Sequence, residues 1–378
     1  MLNNSTNKWQ LGHPDYVLLG AVALLTFSGI IFVYSSSFVT GIVQFNNANH
    51  FVIRQTIWTL LGTGLLLLGL SIDYQRLQKY ALPLLIIAIG LLLLVLILGE
   101  TYNGAQRWLN LGNLNFQPSE FAKLAVIIYL AAWLSAKAER IQSIEHSLVF
   151  VLMIGAISIL LLLQPDLGTT VLILGTAFTM FWAAGATFLQ VTTLGITGSG
   201  AVFLLAVMES YRLDRLFSFL SAESDPLGRG FQTLQSLIAL GNGGIFGLGL
   251  GESRGKFFYI PESHTDAIFA IIGEELGLVA TATILILFAS LMVRGYQIAQ
   301  QSNTQFGFLL ATGITTWIVL QALLNIGGIT RMIPLTGLPI PLLSYGGSSL
   351  LVLMLAIGIL ANISRNKPLT PDVDGGSS

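Results

Sequence analysis

The sequence predicts an all-α, polytopic membrane protein with about ten transmembrane helices and a large extracellular loop between helices 7 and 8. Of its 378 residues, 54% are hydrophobic and 9% are charged, whereas roughly a quarter of a soluble chain is charged. Mean hydropathy is +0.78, and the charges are clustered between long stretches that contain none. This composition excludes a soluble globular enzyme and a disordered chain. A net charge of −1 leaves no basic surface for nucleic acid, and the absence of cysteine excludes disulfides and thiolate metal sites.

The uncharged stretches predict the individual helices, because a helix that crosses the hydrocarbon core needs roughly 20 apolar residues. The stretch 167–208 is long enough for two spans, with a break near Ala183-Ala184-Gly185-Ala186. The predicted helices are 16–38, 51–72, 81–99, 118–136, 147–165, 167–184, 189–208, 267–293, 305–328 and 346–364. Residues 1–366 are therefore expected to form one transmembrane domain. The polar N-terminus lacks a signal-peptide pattern, and 367–378 is expected to be a short disordered cytoplasmic tail.

The distribution of basic residues predicts the orientation. An even number of spans puts both termini on one side, which carries eight basic residues against three in or beside short loops opposite. Since short loops count most in the positive-inside rule, both termini are predicted to be cytoplasmic. Five further basic residues in one long loop would tie the count if that loop counted in full.

The connection 209–266 is unusually long and highly charged. An apolar helical stretch from Phe231 to Leu240 precedes a run of glycines at 241–251, which favours a half-inserted helix leading into a turn. The alternative is a full span, which would move everything after it to the other face. The charged residues of the connection are Glu209, Arg212, Asp214, Arg215, Glu223, Asp225, Arg229, Glu252, Arg254, Lys256, Glu262 and Asp266.

Ionisable residues at membrane depth are functional candidates because they are costly to place there. Arg54, Lys123, Asp166 and the pair Glu274–Glu275 are such residues, and the alternative is that they pair with one another as structural contacts. Arg54, Lys123 and Asp166 are all predicted on the side of the long loop. A cationic pocket opening outward would suit an anionic lipid headgroup.

Two further positions have both a structural and a functional interpretation. Arg107 stands beside Trp108, which is typical of an interfacial anchor but equally of a binding site. Asp266 directly precedes the eighth predicted helix, where it would act either as an N-cap or as a general base at the edge of an apolar cavity. His264 could assist it, although a single histidine near a helix start is more often structural. The sequence contains four histidines but no His-Glu-x-x-His pattern, and therefore no zinc signature.

Six segments, which follow one another along the chain at family-like spacing, resemble the SEDS (shape, elongation, division and sporulation) family of bacterial cell-wall proteins. They are Asn103–Trp108, Gln117–Leu124, Gln164–Thr169, Gly230–Gly244, Pro261–Leu278 and Leu338–Ser349. Gln235–Gly241 and Gly247–Gly251 look more like the division branch, FtsW, than the elongation branch, RodA. Ala267 departs from the Phe that usually follows the Asp, and Asn242 stands where Ser is common.

The resemblance implies a ten-helix peptidoglycan glycosyltransferase that polymerises lipid II, the undecaprenyl-pyrophosphate-linked disaccharide-pentapeptide, outside the bacterial cytoplasmic membrane, with a role in cell division. It implies that Asp266 is catalytic and that Arg54, Arg107, Lys123 and Asp166 lie at the substrate cavity. Glu262 and His264, beside Asp266, are expected to bind substrate.

Cofactors and partners follow from the same resemblance. No cofactor is evident, although a divalent cation such as Mg²⁺ or Mn²⁺ could accompany the pyrophosphate. The expected partners are lipid II, a class B penicillin-binding protein that crosslinks the strands, and other division proteins, with no nucleic acid. The competing functions are a lipid II flippase or other transporter, and a scaffold that recruits division proteins.

Overall fold

The computed structural model describes residues 12–102, 105–110, 112, 115–137, 140–207, 230–257 and 259–365. In these residues it contains eleven α-helices and three short strands. The helices are α1 (Tyr16–Phe45), α2 (His50–Ser71), α3 (Gln75–Leu98), α4 (Pro118–Ala136), α5 (Ile144–Leu163), α6 (Leu167–Ala183), α7 (Phe188–Val207), α8 (Phe231–Gly243), α9 (Ile268–Gln300), α10 (Gln305–Ile329) and α11 (Gly347–Arg365). The strands are β1 (Glu100–Tyr102), β2 (Ala105–Asn110) and β3 (Asn115–Phe116). The predicted tail 367–378 and the first part of the long connection, 208–229, lie outside the described residues.

The protein is a multi-pass, helical membrane protein, as predicted. Eight of the described helices, α1–α5 and α9–α11, are long and apolar enough to cross a membrane. The predicted break in 167–208 is confirmed, because α6 ends at Ala183 and α7 begins at Phe188. Both helices are apolar, although α6 has only 17 residues.

Several helices continue beyond their predicted ends. Helix α3 begins at Gln75 rather than at 81, and α9 ends at Gln300 rather than at 293. The predicted boundaries were wrong here because they stopped at charged residues. Arg76, Lys79 and Arg294 lie inside these helices, since long basic side chains can extend to the headgroup region while the backbone stays helical.

The most buried helices form the centre of the bundle. In α10 and α11, 72% of the span is buried within the protein, and in α4 67%, against 22% in α2. These helices contain several buried polar side chains, among them Lys123 in α4 and Gln321 and Asn325 in α10. Polar residues facing other helices rather than lipid are the usual arrangement in a membrane protein.

Helix α8 supports the half-inserted interpretation of the long connection. Its 13 residues span about 20 Å at 1.5 Å per residue, which is too short to cross a hydrocarbon core of about 30 Å. The helix packs against α9, and its length favours the half-inserted interpretation over the alternative of a full span.

A break in α9 receives the glycine-rich turn that follows α8. At Gly277 the backbone adopts φ 69° and ψ −161°, which interrupts the helix. The turn forms hydrogen bonds with the backbone groups that the interrupted helix leaves without helical partners. At membrane depth such groups must be paired within the protein. These bonds run from Leu248 N to Glu274 O (3.0 Å), Gly249 N to Glu275 O (2.9 Å), Leu278 N to Gly244 O (2.9 Å) and Val279 N to Ile245 O (3.2 Å).

Replacing Gly277 with alanine is expected to lower the free energy of unfolding by about 1–3 kcal/mol, the cost of an unfavourable backbone conformation. The added Cβ would also lie 2.5 Å from Gly247 N and from Ile245 O. Thermal unfolding in detergent measures the change. Gly90→Ala in α3 is the matched control, because nothing lies within 4 Å of its Cβ position, and it should be neutral or slightly stabilising. Equal stability of the two variants would contradict this account of the break.

The three strands form a small antiparallel sheet between α3 and α4, in the order β1-β2-β3. Tyr102 pairs with Ala105 and Leu109 pairs with Phe116. No strands were predicted here from the sequence. The sheet carries Arg107 in its central strand, and β3 leads through Gln117 into the start of α4.

Candidate active site

A polar cavity of about 430 Å³ lies at the end of the bundle where the long connection returns to α9. Side chains from the start of α2, from β2, from the turn before α6 and from the segments 262–266 and 337–349 converge on it. Of the seven site residues predicted from the sequence, six line this cavity: Arg54, Arg107, Asp166, Glu262, His264 and Asp266. A second cavity of about 690 Å³, between α8, α9 and α10, is lined without any titratable side chain.

Asp266 is half-buried and lies two residues before α9 begins at Ile268. The N-cap of α9 is Ala267, and no side chain caps this helix end, so the N-cap interpretation of Asp266 is wrong. Gly337 lies beside the carboxylate, and a Cβ there would be 3.4 Å from Asp266 Oδ2. Asp266 is therefore a residue of the cavity lining and not the N-cap residue of α9.

Arg107 and Asp166 meet at the wall of the cavity. Arg107 Nη1 lies 3.9 Å from Asp166 Oδ1, while Arg107 Nε donates to Gln164 O at 3.2 Å and Nη2 donates to Pro165 O. The buried Asp166 also accepts from Thr169 N at 3.2 Å, which caps α6. Asp166 thus has the basic neighbour that a charge at this depth requires, and the guanidinium is held in one orientation.

Lys123 differs from the other predicted site residues, since it is absent from the cavity lining. Its ammonium lies 2.8 Å from Glu120 Oε2 and donates to Gln321 Oε1 at 3.1 Å. Both ion-pair partners are almost fully buried, and Glu120 is the member that lines the cavity. The expectation that Lys123 opens directly into the pocket is therefore wrong. The three-residue spacing of Glu120 and Lys123 on one helix is the signal that predicts this pairing.

Tyr345 lines the cavity, although no role was predicted for it from the sequence. Burial raises the pKa of its hydroxyl, although the neighbouring Arg54 guanidinium acts in the opposite direction. Its ring packs edge-on against Phe51, 5.2 Å between centroids. The sequence did contain a signal for this residue, because Tyr345 belongs to the Leu338–Ser349 segment that carried part of the family resemblance.

His264 packs against both of these rings, with its ring centroid 4.5 Å from that of Phe51 and 5.8 Å from that of Tyr345. Burial lowers the pKa of His264, although the charge of Glu262 acts in the opposite direction. Burial thus favours the neutral form of the imidazole.

The pair Glu274–Glu275 lies outside the polar cavity and makes structural contacts. Glu275 Oε1 is 3.0 Å from Lys256 Nζ, and Ser35 Oγ donates to both Glu275 carboxylate oxygens at 2.7 Å. Glu274 accepts from Ser253 Oγ and from Gly255 N. These contacts favour the structural interpretation of the pair, because they join residues 253–256 and α1 to α9.

Within the described part of the chain, no group of three or more His, Asp or Glu side chains is arranged to hold a metal ion. The cavity lining contains four carboxylates, and two of them have basic partners. Glu120 pairs with Lys123, and Asp166 pairs with Arg107. These residues do not fit a dedicated Mg²⁺ or Mn²⁺ site.

Sequence comparison finds relatives over nearly the whole chain. Residues 16–368 match the FtsW/RodA/SpoVE family model, described as a cell cycle protein. Stage V sporulation protein E of Bacillus subtilis is 41% identical, covering 93% of this chain and 97% of that protein. A probable peptidoglycan glycosyltransferase FtsW of Trichlorobacter lovleyi is 40% identical, covering 98% of each.

Solved structures share the fold. The rod shape determining protein RodA of Thermus thermophilus superposes with a TM-score of 0.71 at 27% identity, covering 94% of this chain and 97% of that one. A chain from a structure described as coordination of polymerization and crosslinking by a peptidoglycan synthase complex gives a TM-score of 0.76 at 30% identity. That match covers 93% of this chain and 98% of the other.

Proposed function

Because this chain belongs to the FtsW/RodA/SpoVE family of cell cycle proteins, we propose that it is a peptidoglycan glycosyltransferase that polymerises lipid II, with Asp266 as general base. Relatives named as peptidoglycan glycosyltransferase FtsW cover almost its full length. The observation that carries the proposal is the convergence of Asp266, Arg54 and Arg107 on one cavity at the end of the bundle. The same relatives support a role in cell division.

The proposed reaction needs one displacement. The 4-hydroxyl of an incoming lipid II sugar attacks the anomeric carbon of the growing strand, and the bond to the lipid pyrophosphate breaks. The electron pair of that bond leaves with the pyrophosphate, while Asp266 takes the hydroxyl proton. Conversion of an α-pyrophosphate link into a β-1,4 link is an inversion, so no covalent intermediate on the protein is required.

The two arginines have the chemistry to stabilise the leaving group. Guanidinium groups bind phosphate oxygens through paired hydrogen bonds, and fixed charges near a developing anion lower the barrier. Arg107 is already oriented by the carbonyls at 164 and 165, whereas the side chain of Arg54 is exposed at the start of α2. Lys123 contributes indirectly in this proposal, because it neutralises Glu120 and so removes one negative charge from the cavity wall.

We place the cavity at the outer face of the bacterial cytoplasmic membrane, with both termini in the cytoplasm. The distribution of basic residues in short loops supports this orientation. A lipid-linked sugar could then enter with its pyrophosphate at the headgroup level and its chain in the bilayer. The similarity to a chain of a peptidoglycan synthase complex supports a crosslinking partner, which we propose is a class B penicillin-binding protein.

The direct test is polymerisation of purified lipid II in detergent, with the cognate transpeptidase present and the products separated by size. Glycan strands are the expected product. A lipid II transporter would move labelled lipid II between vesicle leaflets without making strands. A scaffold would do neither, so the two measurements together distinguish the three functions.

Replacing Arg107 with lysine is expected to slow polymerisation by about 10-fold or more, because one ammonium cannot make the planar set of contacts that a guanidinium makes. The charge stays constant, so the loss reports orientation rather than net charge. Initial rates over a range of lipid II concentrations measure it. Arg254→Lys, at an exposed arginine absent from the cavity lining, is the matched control and should retain the wild-type rate. Wild-type kinetics for Arg107→Lys would remove Arg107 from the proposed site.

A further inference from the structure

Three consecutive backbone carbonyls around Asp266 are each held by a hydrogen bond from elsewhere in the chain. His264 O accepts from Tyr345 N at 3.0 Å, and Thr265 O accepts from Ser344 Oγ at 2.7 Å. Asp266 O accepts from Asn325 Nδ2 at 2.8 Å. The segment that carries the carboxylate is therefore fixed by α10 and by the segment that precedes α11.

Asn325 makes the most direct of these contacts. Its amide nitrogen donates to Leu338 O at 2.7 Å as well as to Asp266 O, and the residue is only 2% exposed. Turning the amide over would place its oxygen against two carbonyl oxygens, so the orientation shown is the only one of the two that forms hydrogen bonds. One side chain thus joins the Asp266 segment to residues 337–339, which also line the cavity.

Gln321, one turn before Asn325 on α10, also holds this segment of the cavity lining. Gln321 Nε2 donates to Pro339 O at 2.9 Å, and Gln321 Oε1 accepts from Trp317 Nε1 and from Lys123 Nζ. Two buried amides spaced four residues apart on one helix face therefore hold two consecutive carbonyls, those of Leu338 and Pro339. This arrangement keeps Gly337 next to the Asp266 carboxylate.

We propose that Asn325 is a positioning residue for Asp266, assisted by Ser344, and this rests on the function proposed above. A general base must come within hydrogen-bond reach of the proton it removes, and a displacement of about 1 Å costs about 10²-fold in rate. Asn325 does not touch the substrate in this scheme. Asn325 acts on the reaction only through the backbone of Asp266. Its loss should therefore lower kcat rather than weaken substrate binding.

The test is Asn325→Asp, a nearly isosteric change that replaces the donating NH₂ with an acceptor or a single donor. We expect kcat to fall by at least about 10-fold, with KM for lipid II changed by less than 3-fold. The matched control is Asn362→Asp in α11. Asn362 is equally buried and its Nδ2 donates to a backbone carbonyl, that of Leu70, at 2.7 Å. The two variants should lose similar thermal stability, but Asn362→Asp should keep kcat.

A second pair keeps the proposal testable if Asn325→Asp does not fold. Ser344→Ala removes the donor to Thr265 O and should lower kcat, while Ser344→Thr keeps the hydroxyl and should restore most of it. A folded Asn325→Asp protein with wild-type kcat, or equal kcat in the two Ser344 variants, would overturn the positioning role. The proposed function itself would fail separately, if Asp266→Asn polymerised lipid II normally.

Discussion

Replacement of Asp266 with asparagine is expected to abolish lipid II polymerisation, with a loss of at least about 10²-fold, the usual contribution of a general base. Asparagine has nearly the same shape as aspartate but cannot take up the proton of the attacking hydroxyl. Because asparagine keeps the size and shape of the side chain and the N-cap position of α9 is Ala267, the variant should fold and bind substrate normally. The measurement is strand formation from purified lipid II with the transpeptidase present, beside a binding assay with labelled lipid II.

Glu252→Gln is the control for this experiment, since Glu252 is an exposed carboxylate of the same long connection and is absent from the cavity lining. It should polymerise at the wild-type rate. Normal strand formation by Asp266→Asn would favour the transport function. Normal wall growth with both Asp266 and Lys123 replaced would favour a scaffold.

The membrane fold was predictable from the sequence because lipid imposes a strict condition on the backbone. A segment at membrane depth must satisfy its own hydrogen bonds, so a long charge-free stretch has few alternatives to a helix. The break between Ala183 and Phe188 was predictable for the same reason, because a stretch of that length must turn once. The stretch from Phe231 to Leu240 was recognisable by its apolar character followed by glycines.

The details of the site depend on contacts between distant parts of the chain, which composition and spacing do not encode. Arg107 is oriented by the carbonyls of Gln164 and Pro165, more than 50 residues away. Whether Lys123 faces the cavity depends on Gln321 in α10, whose side-chain oxygen accepts a hydrogen bond from the Lys123 ammonium. The motifs identified which residues matter, but only the packing of α4 against α10 shows which of them reaches the cavity.

The break at Gly277 also depends on contacts between distant parts of the chain, which the sequence pattern does not reveal. A glycine within an apolar helix is common in membrane proteins, and nothing local marks this one as a break. Its conformation is stabilised by the turn at 244–249, which supplies four backbone hydrogen bonds to α9. The glycines of that turn were visible in the sequence, but their partner on α9 was not.

Replacing Lys256 with methionine is expected to lower the free energy of unfolding by about 3–5 kcal/mol, the cost of leaving one partner of a buried ion pair unpaired. Lys256 Nζ and Glu275 Oε1 are 3.0 Å apart, and both side chains are fully buried. Methionine keeps the volume of the lysine stem but leaves the Glu275 carboxylate with Ser35 as its remaining side-chain partner. Thermal and denaturant unfolding in detergent measure the loss.

The double variant Lys256→Met/Glu275→Gln separates charge from packing. With both charges removed, most of the stability should return, because replacing a whole buried pair is often neutral. Arg294→Met is the control. Arg294 pairs with Asp15 in a contact where the arginine side chain is 37% exposed and the aspartate side chain 8%, so loss of this partly exposed pair should cost less than loss of the fully buried one. If the double variant were as unstable as the single one, the loss would come from lysine packing, and Lys256 would not be the group that neutralises Glu275.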